Sequence, residues 1–227
     1  MDISRQEQGF LGRQVGAMIR RSVRRRFRNV YWMPPALPLP QGPKILVANH
    51  HGWFDGYLMF LLIQELHVVC RDWIAEFDSF PLFAKIGGMP FPPDSPERRM
   101  QTIRETIRWM RQGGSMVLFA EGVLHDPPEI LPLGSGLATL CRKVPGVHVV
   151  PVAIHYLMSL HERPEAFLRV GPPRVPGEDV LSVTQADLGS ELTTTQQEAS
   201  LRLPKWKLLH AGTPSVNERW DVRKFKR

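Results

Sequence analysis

The chain has 227 residues, of which 43% are hydrophobic and 22% are charged, a balance typical of one globular domain. Its two cysteines, Cys70 and Cys141, lie far apart inside apolar runs, which excludes a disulfide framework and predicts buried thiols. The N-terminus lacks the apolar stretch of a signal peptide, and no run of about 18 apolar residues predicts a transmembrane helix.

The N-terminal segment is strongly basic. Residues 10–31 include seven arginines and no acidic residue. The charge of these arginines equals the formal net charge of the whole chain, +7. Apolar residues recur among them at steps of three and four and predict an amphipathic helix: Leu11, Val15, Met18, Ile19, Val23, Phe27 and Val30. Such helices lie in the headgroup layer of anionic membranes, where each basic residue contributes about 1 kcal/mol. We therefore expect residues 1–34 to be a membrane-interface helix.

Two alternatives for this segment stay open. One is a helix packed on the domain with solvated arginines, and the other is an arginine arm that binds nucleic acid. Aromatic residues are not interleaved as a stacking platform needs, so we expect no nucleic-acid partner.

Five prolines in residues 32–43 argue against a helix or a central strand and predict an extended connector. The domain is expected to span residues 35–227. In it, the apolar run 45–48, a polar cluster and a second apolar run to Leu66 predict a strand, a loop and a helix. Ligands of α/β folds usually bind at such a junction.

The polar cluster at this junction contains His50 and, five residues later, Asp55. This pair is predicted to act as a general base and the carboxylate that orients it. His51 lacks that spacing to Asp55, and we assign it a supporting or exposed role.

In the rest of the chain, predicted strands alternate with predicted helices. Strands are predicted at residues 67–70, 115–120, 147–154 and 166–170. Helices are predicted at residues 96–112, between residue 136 and residue 143, and at residues 179–199. Residues 80–91 predict a short helix, ended by glycine, and a short strand. Ser95 is the predicted N-cap of the helix at 96–112, and Pro151 is predicted to mark an edge or a bulge. This order predicts an α/β fold with a central, largely parallel or mixed sheet flanked by helices.

Glu121 and Gly122 follow the strand predicted at 115–120, at the same edge of the sheet as His50. The pattern alone favours a structural role for Glu121 over binding of a hydroxyl or a cation. Arg98 and Arg99, early in their helix, are within reach of an anionic substrate group.

Four blocks now stand in order: residues 49–55, 87–91, 119–122 and 150–153. In order and spacing they resemble the 1-acylglycerol-3-phosphate acyltransferase family, over residues 44–154. The resemblance implies transfer of a fatty acyl group from acyl-CoA or acyl carrier protein to a hydroxyl of a lipid acceptor, without a cofactor, a metal or an acyl-enzyme. It makes His50 the base and Asp55 its partner. The expected substrate-binding residues are Asn49, Phe91, Arg98, Arg99, Glu121 and Gly122.

The chain departs from the family pattern mainly where a phosphate is usually held. Pro93 and Asp94 occupy the stretch of an expected arginine, and Val123 and Leu124 replace threonine and arginine. The remaining departures are a lysine that is replaced near Gly134 and Gly52 in the place of a serine. Because arginine binds phosphate bidentately, we predict an acceptor other than glycerol-3-phosphate or simple lysophosphatidate, such as a lipid alcohol, a sugar lipid or a lysophospholipid. The alternative is that the arginines early in the following helix take over the phosphate.

The expected location is cytoplasmic, peripheral on the inner face of an anionic membrane. A C-terminal helix and tail are expected at residues 176–227. Two other functions stay open: a metal hydrolase using His50, His51, Asp55 and Glu121, and a membrane-binding relative that has lost catalysis. No second histidine cluster at ligand spacing supports the hydrolase.

Overall fold

The computed structural model describes residues 9–201 and 203–220. Residues 1–8 of the predicted N-terminal segment, and residues 202 and 221–227 of the predicted C-terminal region, lie outside the described residues. The helices are α1 (Phe10–Arg26), α2 (Asp55–Glu65), α3 (Pro96–Arg111), α4 (Ser135–Lys143), α5 (Val180–Leu201) and α6 (Val216–Arg219). The strands are β1 (Asn29–Met33), β2 (Lys44–Ala48), β3 (Cys70–Ile74), β4 (Gly88–Pro90), β5 (Ser115–Leu118), β6 (His148–Leu157), β7 (Glu165–Val170) and β8 (Lys207–Ala211).

The described strands form one mixed sheet in the order β4-β3-β5-β2-β6-β7-β1-β8. The pairings from β4 to β6 and that of β1 with β7 are parallel, whereas β6 with β7 and β1 with β8 are antiparallel. The predicted α/β architecture with a largely parallel or mixed sheet and flanking helices is confirmed.

The central strand β2 is buried on both faces, which explains its uninterrupted apolar run. Leu46 and Ala48 face a core cluster that includes residues of α1 and α2, and Ile45 and Val47 face a cluster that includes residues of α3, α4 and α5. The sheet is therefore the middle of three layers, and the loop after β2 leaves from its centre.

Helix α1 packs on the domain through one apolar stripe. Val15, Ile19 and Val23 are at most 5% exposed, whereas Leu11 and Met18 are 49% and 46% exposed. The predicted N-terminal amphipathic helix is confirmed, although it ends at Arg26 and Val30 belongs to β1. Packing on the domain thus accounts for the inner face of α1, and its exposed arginines and two apolar side chains lie outside that face.

The prediction that residues 32–43 exclude a central strand is wrong at its start. Trp32 and Met33 complete β1, which lies between β7 and β8. The prolines begin only at residue 34, so they follow the strand without interrupting its hydrogen bonds.

Three other predictions need correction. The strand expected at 67–70 lies instead at Cys70–Ile74, because His67 adopts a left-handed conformation with φ of 53° after α2. Pro151 lies inside the interior strand β6 and not at an edge. Its carbonyl accepts from Gly171 N–H at 2.8 Å, and Val149 pairs with Arg174, one residue out of register with the pairing of β6 with β7, so the bulge alternative fits Pro151 and the edge alternative is wrong. Strand β8, inside the predicted C-terminal helix and tail, was not predicted.

None of the helices among the described residues is both long and apolar enough to cross a membrane. The predicted N-cap Ser95 is confirmed, since its side chain accepts the backbone N–H of Arg98. The expected division of the chain at residue 35 remains a prediction.

The packing of α1 can be tested with two neighbouring residues. Ile19→Ala removes a side chain that is 1% exposed and is expected to lower the free energy of unfolding by about 2 kcal/mol or more. Met18→Ala removes an exposed side chain and is expected to change it by less than about 0.5 kcal/mol. Chemical denaturation of both variants gives the two values, and equal losses would contradict the described orientation of α1.

Candidate active site

The loop that leaves the centre of the sheet brings His50 and Asp55 together. One residue, Asn49, separates His50 from the end of β2. Asp55 is the first residue of α2, where the helix dipole favours a carboxylate. The distance from His50 Nδ1 to Asp55 Oδ2 is 3.0 Å. Because Nδ1 donates its proton to the carboxylate, Nε2 bears the lone pair that can accept a proton.

Asp55 is fully buried and hydrogen-bonded to further donors. Its Oδ2 accepts from Gly52 N–H at 2.8 Å, and its Oδ1 accepts from the hydroxyl of Tyr156 at 2.5 Å. Burial and the charge of Asp55 raise the pKa of Tyr156 well above its usual value, so the phenol stays protonated and donates. These donors fix the carboxylate that orients His50.

Asn49 anchors the start of the loop to β6. Its side-chain oxygen accepts from Ile154 N–H at 2.7 Å, and its amide donates to the carbonyl of Ile154 at 3.0 Å. Asn49 is fully buried and does not line the cavity described below. The contact with substrate that we expected of Asn49 is therefore not favoured by its position.

Glu121 anchors the loop from the other side. Its Oε1 accepts from the backbone N–H of His50 at 2.8 Å, and its Oε2 accepts from Leu131 N–H at 2.7 Å and from His125 Nε2 at 2.6 Å. Burial is the largest single influence and lowers the pKa of His125, but the hydrogen bonds to Glu121 and to the Asp126 carbonyl, with the charges of both carboxylates, together raise it. The position of Glu121 thus fits the structural role that its sequence context favoured, and it does not line the cavity.

An apolar cavity of about 1250 Å³ opens beside His50. This volume exceeds the roughly 300–1,000 Å³ of ordinary small-molecule sites. Its apolar wall comes from both sides of the sheet and includes Ile19, Phe60, Ile63, Phe83, Met100 and Ile103. Of the predicted pair, His50 lines the cavity and Asp55 does not. The His50 side chain is 27% exposed, and its ring stacks on that of Phe119 with ring centroids 4.5 Å apart. An elongated apolar ligand fits such a space.

Three other predicted residues differ in their relation to this cavity. Phe91 lines it and stacks on Trp73 with ring centroids 4.2 Å apart. Arg99 lines it and donates to the carbonyl of Pro93 at 2.7 Å. Arg98 does not line it, because its guanidinium forms a bidentate ion pair with Asp78 at 2.8 and 2.9 Å.

Gly122 also lines the cavity, in a left-handed conformation with φ of +76° that favours glycine. Its N–H donates to the carbonyl of Phe119 at 3.1 Å and so is not free for a ligand. Helix α4 begins at the cavity with Ser135 and Gly136, and no side chain caps it. The first N–H groups of a helix have no partners within it, so this end presents donors to the cavity.

The hydrolase alternative predicted a metal held by His50, His51, Asp55 and Glu121. Among the described residues, the cluster with metal-ligand spacing is His51, Glu121 and His125, whose ligand atoms lie within 4.8 Å of one another. His50 and Asp55 are not members of it. His51 also contacts Asn49 Nδ2 through Nδ1, at 3.1 Å, and the carbonyl of Glu129 through Nε2, at 3.0 Å, while burial lowers its pKa.

Tyr156 and His125 are the polar partners that the sequence did not single out. Tyr156 is separated from Asp55 by 101 residues, and no local pattern links them. His125 follows Glu121 by four residues, a spacing that brings side chains together on a helix, but this segment is a loop.

Comparison with known proteins adds three findings. A family model described as Acyltransferase matches residues 25–155, more than half of the chain. The chain is 28% identical to a lyso-ornithine lipid O-acyltransferase of Brucella abortus (strain 2308), over 50% of this chain and 45% of that protein. It is 24% identical to the chloroplastic 1-acyl-sn-glycerol-3-phosphate acyltransferase BAT2 of Brassica napus, over 52% of this chain and 34% of that protein. The matches thus span less than half the length of these curated relatives.

A solved structure shows a similar fold. The 1-acyl-sn-glycerophosphate (LPA) acyltransferase PlsC from Thermotoga maritima aligns with a TM-score of 0.51 and 18% identity, covering 89% of this chain and 80% of that chain. At this identity the likeness concerns the fold alone.

The contact between Gly52 and Tyr156 predicts a non-additive pair of substitutions. A Cβ at Gly52 would lie 2.4 Å from the Tyr156 ring. We expect Gly52→Ala to lower the free energy of unfolding by about 1–3 kcal/mol, because the ring must move away from Asp55. In a Tyr156→Ala background the same change is expected to cost much less.

Denaturation of the two single variants and the double variant measures this coupling. Gly56→Ala serves as the control, because a Cβ there meets no atom within 4 Å and alanine favours a helix. An equal cost of Gly52→Ala in both backgrounds would show that the tyrosine does not occupy this space.

Proposed function

The chain belongs to the acyltransferase family, and we propose that it transfers a fatty acyl group from a thioester to a hydroxyl of a lipid acceptor. The observation that carries this proposal is the His50–Asp55 pair at the edge of a large apolar cavity. A general base beside a space for an alkyl chain suits deprotonation of an alcohol next to an acyl donor. The donor is acyl-CoA or acyl carrier protein.

The proposed reaction is a direct transfer. His50 Nε2 takes the proton of the acceptor hydroxyl as its oxygen attacks the thioester carbonyl, giving a tetrahedral oxyanion. The C–S bond then breaks, the carbonyl re-forms as an ester, and the proton on His50 passes to the leaving thiolate. Asp55 stabilises the imidazolium between these steps, as in catalytic triads but without a protein nucleophile.

The oxyanion is proposed to accept hydrogen bonds from the start of α4. The N–H of Gly122 is not available for this role, because it donates to the carbonyl of Phe119. Ser135 and Gly136 line the cavity at the N-terminus of a nine-residue helix, where the helix dipole favours developing negative charge.

For the acceptor, we keep the proposal of a lipid without a phosphomonoester. Val123 and Leu124 line the cavity where an arginine would hold a phosphate, and Arg98 is paired with Asp78. Arg99 lines the cavity and supports the alternative in which one guanidinium binds a phosphate. The relative from Brucella, whose name specifies lyso-ornithine lipid, supports a lysolipid acceptor of another kind.

We further propose that the protein acts on an anionic membrane surface, bound through α1. Its exposed arginines include Arg21, Arg24 and Arg25, and its exposed apolar residues include Phe10 and Met18. This combination is typical of helices at the headgroup layer. A peripheral location on the inner, cytoplasmic face remains a prediction, as does the lack of a nucleic-acid partner.

Transfer is tested with purified protein, a long-chain acyl-CoA and a total lipid extract, with mass spectrometry of the lipids formed. We expect a new acylated lipid from the wild type and a loss of about 10²–10⁴ in rate for His50→Ala, because the general base is removed. His67→Asn, which removes an exposed histidine at a position with positive φ, is the matched control and should keep full activity.

Unchanged activity in a folded His50→Ala protein would refute the assignment of the base, and no product from the wild type would favour the relative that has lost catalysis. A strong preference for lysophosphatidate over neutral lysolipids would refute the proposed acceptor.

Membrane binding is tested by cosedimentation with vesicles of phosphatidylglycerol and phosphatidylcholine. Reversing Arg21, Arg24 and Arg25 to Glu should weaken binding by at least about 100-fold, since each basic residue contributes about 1 kcal/mol. The control reverses Arg104, Arg108 and Arg142, exposed on α3 and α4 across the sheet, with the same change in net charge. Equal weakening by both triple variants would indicate general charge attraction and not an oriented helix.

A further inference from the structure

Asp72 places a carboxyl group on the wall of the apolar cavity, away from His50. Asp72 lies in the middle of β3 and is half-buried. Glu76, the other carboxylate that lines the cavity, is exposed. Among the described residues, no ion pair or hydrogen bond from another side chain reaches the Asp72 carboxylate, and its own backbone N–H is the group that stabilises its charge. Burial raises the pKa of Asp72 to about 6.

The register of the sheet gives the face and the depth of this carboxyl. Asp72 pairs with Val117 of β5, which pairs with Leu46 of β2. Val117 and Leu46 belong to the cluster on the α1 and α2 side, as does Cys70, two residues before Asp72. Paired residues and residues two apart share a face, so Asp72 points to the side of the sheet where α1 and α2 lie.

The distance from His50 follows from the same register. Asp72 is two strands away from Leu46, at about 4.8 Å per strand, and His50 lies four residues beyond Leu46, at about 3.3 Å per residue. Because β2 ends at Ala48 and a loop carries the chain on to His50, about 16 Å is the largest separation of the two backbones. With a C–C bond of about 1.5 Å, an extended chain advances about 1.3 Å per carbon, so about twelve carbons span this distance.

Asp72 is half-buried, and a carboxylate that faces an apolar wall without a side-chain donor loses part of its hydration. Ile63, Ile74, Phe83 and Ile86 on the cavity wall are apolar. A molecule in the cavity can supply the donor that these side chains do not. An alcohol supplies one donor without adding a charge, whereas an ammonium group would itself have to leave water for an apolar space.

We propose that Asp72 determines specificity for the acyl chain by binding a hydroxyl carried about twelve carbons from the thioester carbonyl. This inference rests on the proposed function, since it takes the cavity to hold the acyl chain of the donor. A site built to hydrogen-bond a hydroxyl discriminates against the analogue that lacks it, because its buried polar group is then left unpaired.

The test compares three thioesters of equal chain length: octadecanoyl-CoA, 12-hydroxyoctadecanoyl-CoA and 3-hydroxyoctadecanoyl-CoA. In competition, the wild type should use the 12-hydroxy chain about tenfold better than the other two. Asp72→Leu should abolish this preference, and Asp72→Asn should retain part of it because the amide oxygen still accepts. Ile74→Leu, on the same strand and cavity, is the matched control and should leave the preference unchanged.

Equal use of the three chains by the wild type would overturn the inference, as would a preference that survives Asp72→Leu. A preference for unsubstituted dodecanoyl-CoA, lost in Asp72→Leu, would show that the carboxyl ends the cavity and binds no hydroxyl. The wild-type comparison of the two hydroxyl positions decides the matter even if Asp72→Leu fails to fold.

Binding of the free fatty acids separates this inference from the proposed function. Tighter binding of 12-hydroxyoctadecanoic acid than of octadecanoic acid, without any acyl transfer, would support the role of Asp72 and count against the transferase. Transfer of all chains at equal rates, with equal binding, would do the reverse.

Discussion

A carboxylate without solvent exposure is stable only when hydrogen-bond donors surround it, and Asp55 receives its donors from separate parts of the chain. Gly52 belongs to its own loop, His50 follows the central strand, and Tyr156 comes from β6. The site therefore depends on the pairing of β2 with β6, which is the feature that a local sequence pattern does not contain. Once that pairing forms, the imidazole has one orientation, because the carboxylate that holds it cannot move.

The residues around His50 divide into those that hold the loop and those that form the cavity. Asn49 and Glu121 are buried and bonded to backbone groups, so they define the position of His50 without lining the cavity. Val123, Leu124 and Gly134 line it. The departures from the family pattern thus lie mostly among the lining residues, and the hydrogen bonds that position the base remain complete. Such a division permits a change of acceptor without a change of chemistry.

The sequence predicted the parts of the fold whose signals are local. The run of β2, the capped start of α3 and the spacing of His50 and Asp55 are each contained in a short segment. Strand β1 was missed because its five residues lie between an arginine-rich helix and a proline-rich segment, and both patterns conceal its alternation. Strand β8 is largely exposed and lacks an apolar run. Tyr156 and the cavity arise from contacts between distant segments, for which a single sequence carries no signal.

Helix α1 connects the two proposed roles of the chain. Ile19 lines the cavity, and its neighbour Met18 is exposed on the outer side, so the width of one helix separates the proposed lipid-facing surface from the proposed space for the acyl chain. The arginines of α1 are unfavourable in an apolar interior, and anionic headgroups are favourable partners for those that are exposed. A membrane that attracts these arginines therefore brings its hydrocarbon close to the cavity wall. Because a long acyl chain leaves a bilayer more easily into an adjoining apolar space than through water, the position of α1 supports the proposal that transfer takes place at the membrane.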